Sequence, residues 1–173
     1  MNRTPGLKTS RRGFLRASAG AGAVVGSTLA SPLVAPGAAP ARGKADTLRI
    51  GLVGCGGRGT GAALNALKAD AHVELAAMAD LFDDRLQSSL EALRKRVPEK
   101  VKVAPERCFL GFDAYRELIA SDVDVVLLAT PPGFRSEHLR AAVEGGKHTF
   151  VEITIAVDSP GVRSALESAR LAR

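Results

Sequence analysis

Tryptophan is absent and tyrosine occurs once in 173 residues. There is thus no aromatic–basic interleaving of the kind that stacks on and neutralises nucleic acid, and no nucleic-acid partner is expected. The two cysteines, Cys55 and Cys108, form no Cys-x-x-Cys pair and have no histidine cluster beside them, so no metal site is expected. They read as two buried, inert thiols, with a disulfide left open for an oxidising compartment. No Gly-Lys-Ser/Thr exists for a P-loop. Tyr115 is followed four residues on by Ile119, not by the lysine that a short-chain dehydrogenase requires.

Acidic residues are missing from the first 41 positions, which carry Arg3, Lys8, Arg11, Arg12 and Arg16. A basic start is followed by a small, mildly apolar stretch from Ala17 to Ala30 and a Pro/Ala-rich end at Ala39-Pro40-Ala41. These are the parts of an export signal, with cleavage expected near Ala41. The apolar part falls short of the ~20 residues that span a bilayer. Ser10-Arg-Arg-Gly-Phe-Leu-Arg16 resembles the twin-arginine (Tat) motif. It implies the Tat machinery as a partner and the periplasm or cell exterior as destination. The expected division is a signal peptide over 1–41, a linker over 42–46 and one folded domain over 47–173. Five of the 24 basic residues precede residue 42, which leaves 19 against 18 acidic ones. The basic character belongs to the signal, not to a binding surface.

From Thr47 onward, strand-like and helix-like segments alternate. Strands are expected at Leu48–Val53, Val73–Ala79, Cys108–Phe109, Val123–Ala129 and His148–Val151. Helices are expected from Arg58 to about Ala69, Leu81 to Val97, Asp113 to Ser121, Phe134 to Glu144, and from Ser159 onward. Leu86, Leu90, Leu93 and Val97 share one helical face, as do Val162, Leu166 and Ala169. Pro98–Arg107 reads as a polar insertion. Val123–Ala129 is nearly all apolar, as a strand buried on both faces of a parallel sheet must be. Such βα alternation predicts an α/β fold with a doubly wound parallel sheet of Rossmann type.

Gly54-Cys-Gly-Gly-Arg-Gly59 follows the first strand and opens the first helix. In a G-x-G-x-x-G loop, Gly54 allows the tight turn, Gly56 lets the backbone approach a pyrophosphate, and Gly59 lets the helix close on the sheet. The helix N-terminus, with Gly57 and Arg58, offers free N–H groups to phosphate. Asp80, after the second strand, is placed to accept hydrogen bonds from the adenine ribose, which favours NAD and leaves NADP open. It also suits a helix N-cap, and the two roles are compatible.

Three segments carry a further resemblance: Gly51–Gly59, Ala129-Thr-Pro-Pro132 and Ala141-Ala-Val-Glu-Gly-Gly-Lys-His-Thr-Phe-Val-Glu152. Together they look like the N-terminal half of the glucose–fructose oxidoreductase / inositol dehydrogenase / MocA (Gfo/Idh/MocA) family, in its Tat-exported bacterial form. That resemblance implies a Rossmann domain holding NAD(P) and a second α/β domain carrying a sugar or cyclitol site. Hydride passes between nicotinamide and a substrate carbon. It puts Thr130 and Pro131 beside the nicotinamide half and Glu152 close to the nicotinamide, as a cofactor contact and the one catalytic candidate. His138 reads as a structural histidine. A homo-oligomer is left open.

Two departures qualify the resemblance. Where the family has Glu-Lys-Pro, this chain has Glu152-Ile153-Thr154, and no neighbouring cation in the sequence replaces the lysine, since Lys147 lies at the other end of its strand. The chain is also expected to be truncated before the family's second domain. Three readings follow: half of an oxidoreductase, with a sugar or cyclitol as substrate only when a second domain is supplied; a dinucleotide-binding module without catalysis; or an unrelated Rossmann enzyme such as a methyltransferase.

Overall fold

The computed structural model describes residues 47–172. The expected signal peptide and linker therefore lie outside the described residues.

Five parallel strands form one sheet: β1 (Leu48–Val53), β2 (Val73–Asp80), β3 (Cys108–Leu110), β4 (Val125–Leu128) and β5 (His148–Val151), in the order β3-β2-β1-β4-β5. The connecting helices are α1 (Gly57–Ala69), α2 (Asp83–Arg96), α3 (Ala114–Ala120) and α4 (Pro132–Glu144), with α5 (Ser159–Leu171) following β5. α1 and α2 cover one face, where Ile50, Leu52, Leu75 and Met78 meet Leu64, Leu67, Leu86, Leu90 and Leu93. The remaining helices cover the other, around Val53, Leu118, Val126, Leu128 and Leu139. Burial on both faces goes with the predominantly apolar central strands, whose charged residues Arg49, Glu74 and Asp80 lie near strand ends. The doubly wound sheet expected from the alternation is present.

Several expected boundaries move for local reasons. α4 begins at Pro132, not Phe134, because proline at the first helical position loses no hydrogen bond there. α2 begins at Asp83, and Val97 stands just beyond its end, its N–H bonded to Leu93 O. The strand expected over Val123–Ala129 pairs only at Val125–Leu128, though Val123 is still buried. The segment 98–107 is less polar than its composition suggests: Val101 and Val103 are buried, and Val101 bridges Leu75 beside β2.

The apolar residues of the last helix share one face as expected, but it is not the face that the helix buries. α5 buries Ala165 and Ser168 and packs against α4, whereas Val162, Leu166 and Ala169 are exposed. Small side chains permit close helix–helix approach, and that contact overrides the apolar stripe.

Close packing at the switch point between β1 and β4 fixes where the site forms. Gly51 packs closely against α3, since a Cβ there would lie 2.7 Å from Leu118 Cδ2 and that side chain would have to shift. Gly146 ends α4 at φ +68°. Lys147 then donates to Ser121 O and Val123 O at 2.9 Å each, at the amino end of β4 and away from the glycine loop.

Candidate functional site

At the carboxyl end of β1 the chain turns through Gly54 at φ +94°, with Gly54 N–H donating to Ala79 O at 2.9 Å. A Cβ on Gly54 would lie 2.7 Å from Thr130 N, and one on Gly59 would lie 1.8 Å from Gly54 O. These two glycines serve packing. Gly56 and Gly57 differ, because a Cβ on either would meet nothing within 4 Å. The space over them is open, and α1 starts there with no side-chain cap and no acidic residue in its first turn. Open space, unpaired N–H groups and the positive end of a helix dipole form a cradle for an anionic group.

Asp80 closes the other side. Its carboxylate accepts Cys55 N–H at 2.6 Å and Phe82 N–H at 3.0 Å. Both oxygens are thus oriented by the backbone, which leaves further lone pairs for hydroxyl groups. The helix N-cap role expected of Asp80 is not formed: α2 has Phe82 at its N-cap and no side-chain cap bond, because the carboxylate is turned to Cys55 N–H and Phe82 N–H instead. Cys55 donates its thiol to Ala79 O, and burial, with Asp80 adding, pushes that thiol well above its ordinary range. Both cysteines are free thiols, Cys55 buried as expected and Cys108 only half-buried.

A cleft of about 390 Å³ runs from Gly54, Gly56 and Asp80 across to Thr130, Pro131, Phe134, Arg135 and His138. Thr130 and Pro131 on the far side are the residues expected from the resemblance, whereas Phe134 and Arg135 are not marked by the sequence. Arg135 is buried, and its guanidinium donates to three main-chain carbonyls: Thr130 O at 2.6 Å, Glu152 O at 2.9 Å and Thr154 O at 2.8 Å. It ties the turn after β4 to the turn after β5. Arg58 reaches from α1 to Glu152, Nε to Oε1 at 2.8 Å. Two cations therefore bracket Ile153, which is itself 89% exposed. Both cations come from segments remote in sequence, Arg135 committed to main-chain carbonyls and Arg58 to the Glu152 carboxylate. No periodicity or motif marks Arg135; an arginine in the first turn after Thr130-Pro-Pro-Gly was the only trace of it.

His138 is buried, stacks on Tyr115 with ring centroids 4.1 Å apart, and holds Nδ1 3.2 Å from Thr130 Oγ1. Burial lowers its pKa from 6.5 to about 4. It is neutral at ordinary pH and serves to orient Thr130, so the reading as structural holds, with a contact to the site added. Tyr115 donates to Glu137 at 2.8 Å, and burial together with that bond pushes its pKa up to about 12. Because the unfolded chain protonates His138 from about pH 6.5 downward and the native state does not until about pH 4, native stability falls as pH drops through that window. Urea unfolding of wild type and His138→Gln at pH 7, 5.5 and 4.5 checks this. The wild type loses more stability than the variant, and parallel losses would refute it.

The described residues 48–172 match the family described as an oxidoreductase family with an NAD-binding Rossmann fold, Gfo/Idh/MocA. A glycosyl hydrolase family 109 protein of Shewanella pealeana is 30% identical over 115 residues, covering 66% of this chain and 24% of that protein. The corresponding protein of Streptomyces coelicolor is 32% identical over 113 residues, covering 65% and 23%. The chain thus spans about a quarter of the length of these curated relatives. Among solved structures, scyllo-inositol dehydrogenase from Lactobacillus casei with bound NAD(H) and scyllo-inositol matches with a TM-score of 0.59 at 25% identity, over 73% of this chain and 34% of that one. A 3-ketoreductase from Actinomadura kijaniata in complex with NADP matches with a TM-score of 0.55 at 27% identity, over 72% and 36%. The glycine cradle, the oriented Asp80 and this family match agree, and the chain belongs to the Gfo/Idh/MocA oxidoreductase family, of which it forms the NAD-binding Rossmann domain.

Proposed function

We propose that this chain is the dinucleotide-binding part of an exported oxidoreductase acting on a sugar or cyclitol, the substrate site being supplied by a second domain. The observation that carries the reading is the open cradle at Gly56 and Gly57, beside a carboxylate already oriented at the end of β2. In this reading the N–H groups at the start of α1 take the pyrophosphate, with Gly54 and Gly59 holding the loop and helix in place. Asp80 accepts the adenine ribose hydroxyls, and a 2′-phosphate there would meet its charge, so NAD is preferred over NADP. Thr130, Pro131 and Glu152 bound the nicotinamide half, and the nicotinamide, when bound, supplies the hydride acceptor. The chain's own groups at that end bind and orient. His138 and Tyr115 are held by their neighbours, and Ile153 stands where the family's lysine would hold or move a proton. This chain alone is therefore expected to bind dinucleotide without oxidising a sugar. Tat export suits such a domain, because Tat substrates cross folded and the cofactor can be carried out already bound.

Calorimetric titration of the folded chain tests the reading. NAD+ binds, NADP+ binds more weakly, and Asp80→Asn narrows that difference; absence of NAD+ binding at millimolar concentration sinks the proposal.

A hydrolytic reading has one observation in its favour, the names of the curated relatives. These include, besides the family 109 proteins, an alpha-N-acetylgalactosaminidase of Shewanella oneidensis, 30% identical over 119 residues and covering 66% of this chain and 24% of that protein. The same domain would then hold the dinucleotide of a glycosidase. Assay of the chain joined to a second domain separates the two. Net NADH formation from a free sugar or cyclitol supports oxidoreduction, whereas cleavage of an N-acetylgalactosaminide without net NADH supports hydrolysis.

A further inference from the structure

Glu152 stands just past the carboxyl end of β5, its side chain 5% exposed. The only cation at its carboxylate among the described residues is Arg58, 73% exposed, in the first turn of α1. Their 2.8 Å contact is too poorly aligned for a hydrogen bond, so Oε1 faces a positive charge but receives no donor. A buried carboxylate persists only when its charge is compensated. Here the compensation comes across the sheet edge, from the glycine loop to β5. Because α1 follows β1 and Glu152 follows β5, the pair lies over the β1-β4-β5 half of the edge. Asp80 and the adenosine half belong to the opposite side, and the second nucleotide of a dinucleotide belongs to this one.

We propose that the Arg58–Glu152 pair sets the relative affinity of this domain for the oxidised and the reduced dinucleotide. The inference rests on the dinucleotide-binding reading above. The two forms carry the same phosphates, riboses and adenine and differ by one positive charge, on the nicotinamide ring of NAD+. Glu152 attracts that charge and Arg58 opposes it. Paired, the two oppose each other; Glu152, 5% exposed, acts through a site of lowered dielectric, whereas Arg58, 73% exposed, is partly screened by water. The pair is therefore a balance, and removing one member tips it.

The test is the ratio of Kd for NAD+ to Kd for NADH, measured on the full chain by calorimetry and by NADH fluorescence. Arg58→Ala shifts the ratio toward NAD+ by about fivefold, and Glu152→Gln shifts it toward NADH by a smaller factor because water screens the arginine left behind. Arg58→Ala with Glu152→Gln returns the ratio close to wild type. Partial unfolding, or loss of a contact to phosphate, weakens both forms alike and cancels in the ratio. Shifts in the same direction, or a ratio unmoved in either single variant, overturn the inference while leaving the binding reading intact. A wild-type chain that binds neither form overturns both.

Discussion

Gly59→Ala is expected to destabilise the domain by about 3 kcal/mol, a fall in Tm of about 10 °C or more. The new Cβ would lie 1.8 Å from Gly54 O and 3.2 Å from Ala129 Cβ. The first of these contacts is with backbone, which has no rotamer to escape into. The loop cannot yield easily, since Gly54 N–H is bonded to Ala79 O and Cys55 N–H to Asp80. Alanine's better helix propensity, worth about 1 kcal/mol over glycine, is too small to offset the clash. Gly56→Ala gives the opposite result. Its Cβ meets nothing, and its φ of −70° suits any residue. Stability is expected to change by less than about 1 kcal/mol, while affinity for NAD+ falls by about tenfold or more, because the methyl occupies the approach to the phosphates. Thermal unfolding and NAD+ titration of both variants check the contrast. A Gly59→Ala protein as stable as wild type, or a Gly56→Ala protein with full affinity, would show the two glycines' roles to be wrongly divided.

The second large effect is expected at Arg135. Replacing it by alanine removes the donor to Thr130 O, Glu152 O and Thr154 O together. Hydrogen bonds from a charged donor contribute more than neutral ones, and losing the donor to one buried acceptor, Glu152 O, and two part-buried ones costs about 3 kcal/mol in all, since water reaches the exposed Thr154 in part. Lysine is a point donor without the planar fork, so Arg135→Lys recovers only part of the loss. Urea unfolding at pH 7 with an unchanged m-value measures this. A loss below about 1 kcal/mol for Arg135→Ala would show that the two turns hold their positions without the guanidinium.

The parts of the site legible in the sequence share one property: each depends on residues adjacent along the chain. Gly54 needs a positive φ, and Gly56 and Gly57 need open backbone in front of a helix start. Asp80 needs only to end a strand that the apolar run Val73–Ala79 announces. Helix ends were misplaced by a few residues where a proline start or a capping bond decided the matter, as at Pro132 and Val97. On α5 the apolar stripe and the buried face are different faces. Val162, Leu166 and Ala169 do share a face, but the helix turns Ala165 and Ser168 toward α4, since close approach there needs small side chains.

By itself, then, the sequence determined the alternation of strands and helices, the glycine loop and the acid that follows β2, because periodicity and backbone conformation are set by near neighbours. Only the tertiary structure decided which cations reach Glu152, that His138 is a neutral support for Thr130, and that Arg135 joins two turns. Those depend on which elements pack together and how far each group is removed from water. The partners involved lie on different strands and helices, and folding alone brings them within a hydrogen bond's length.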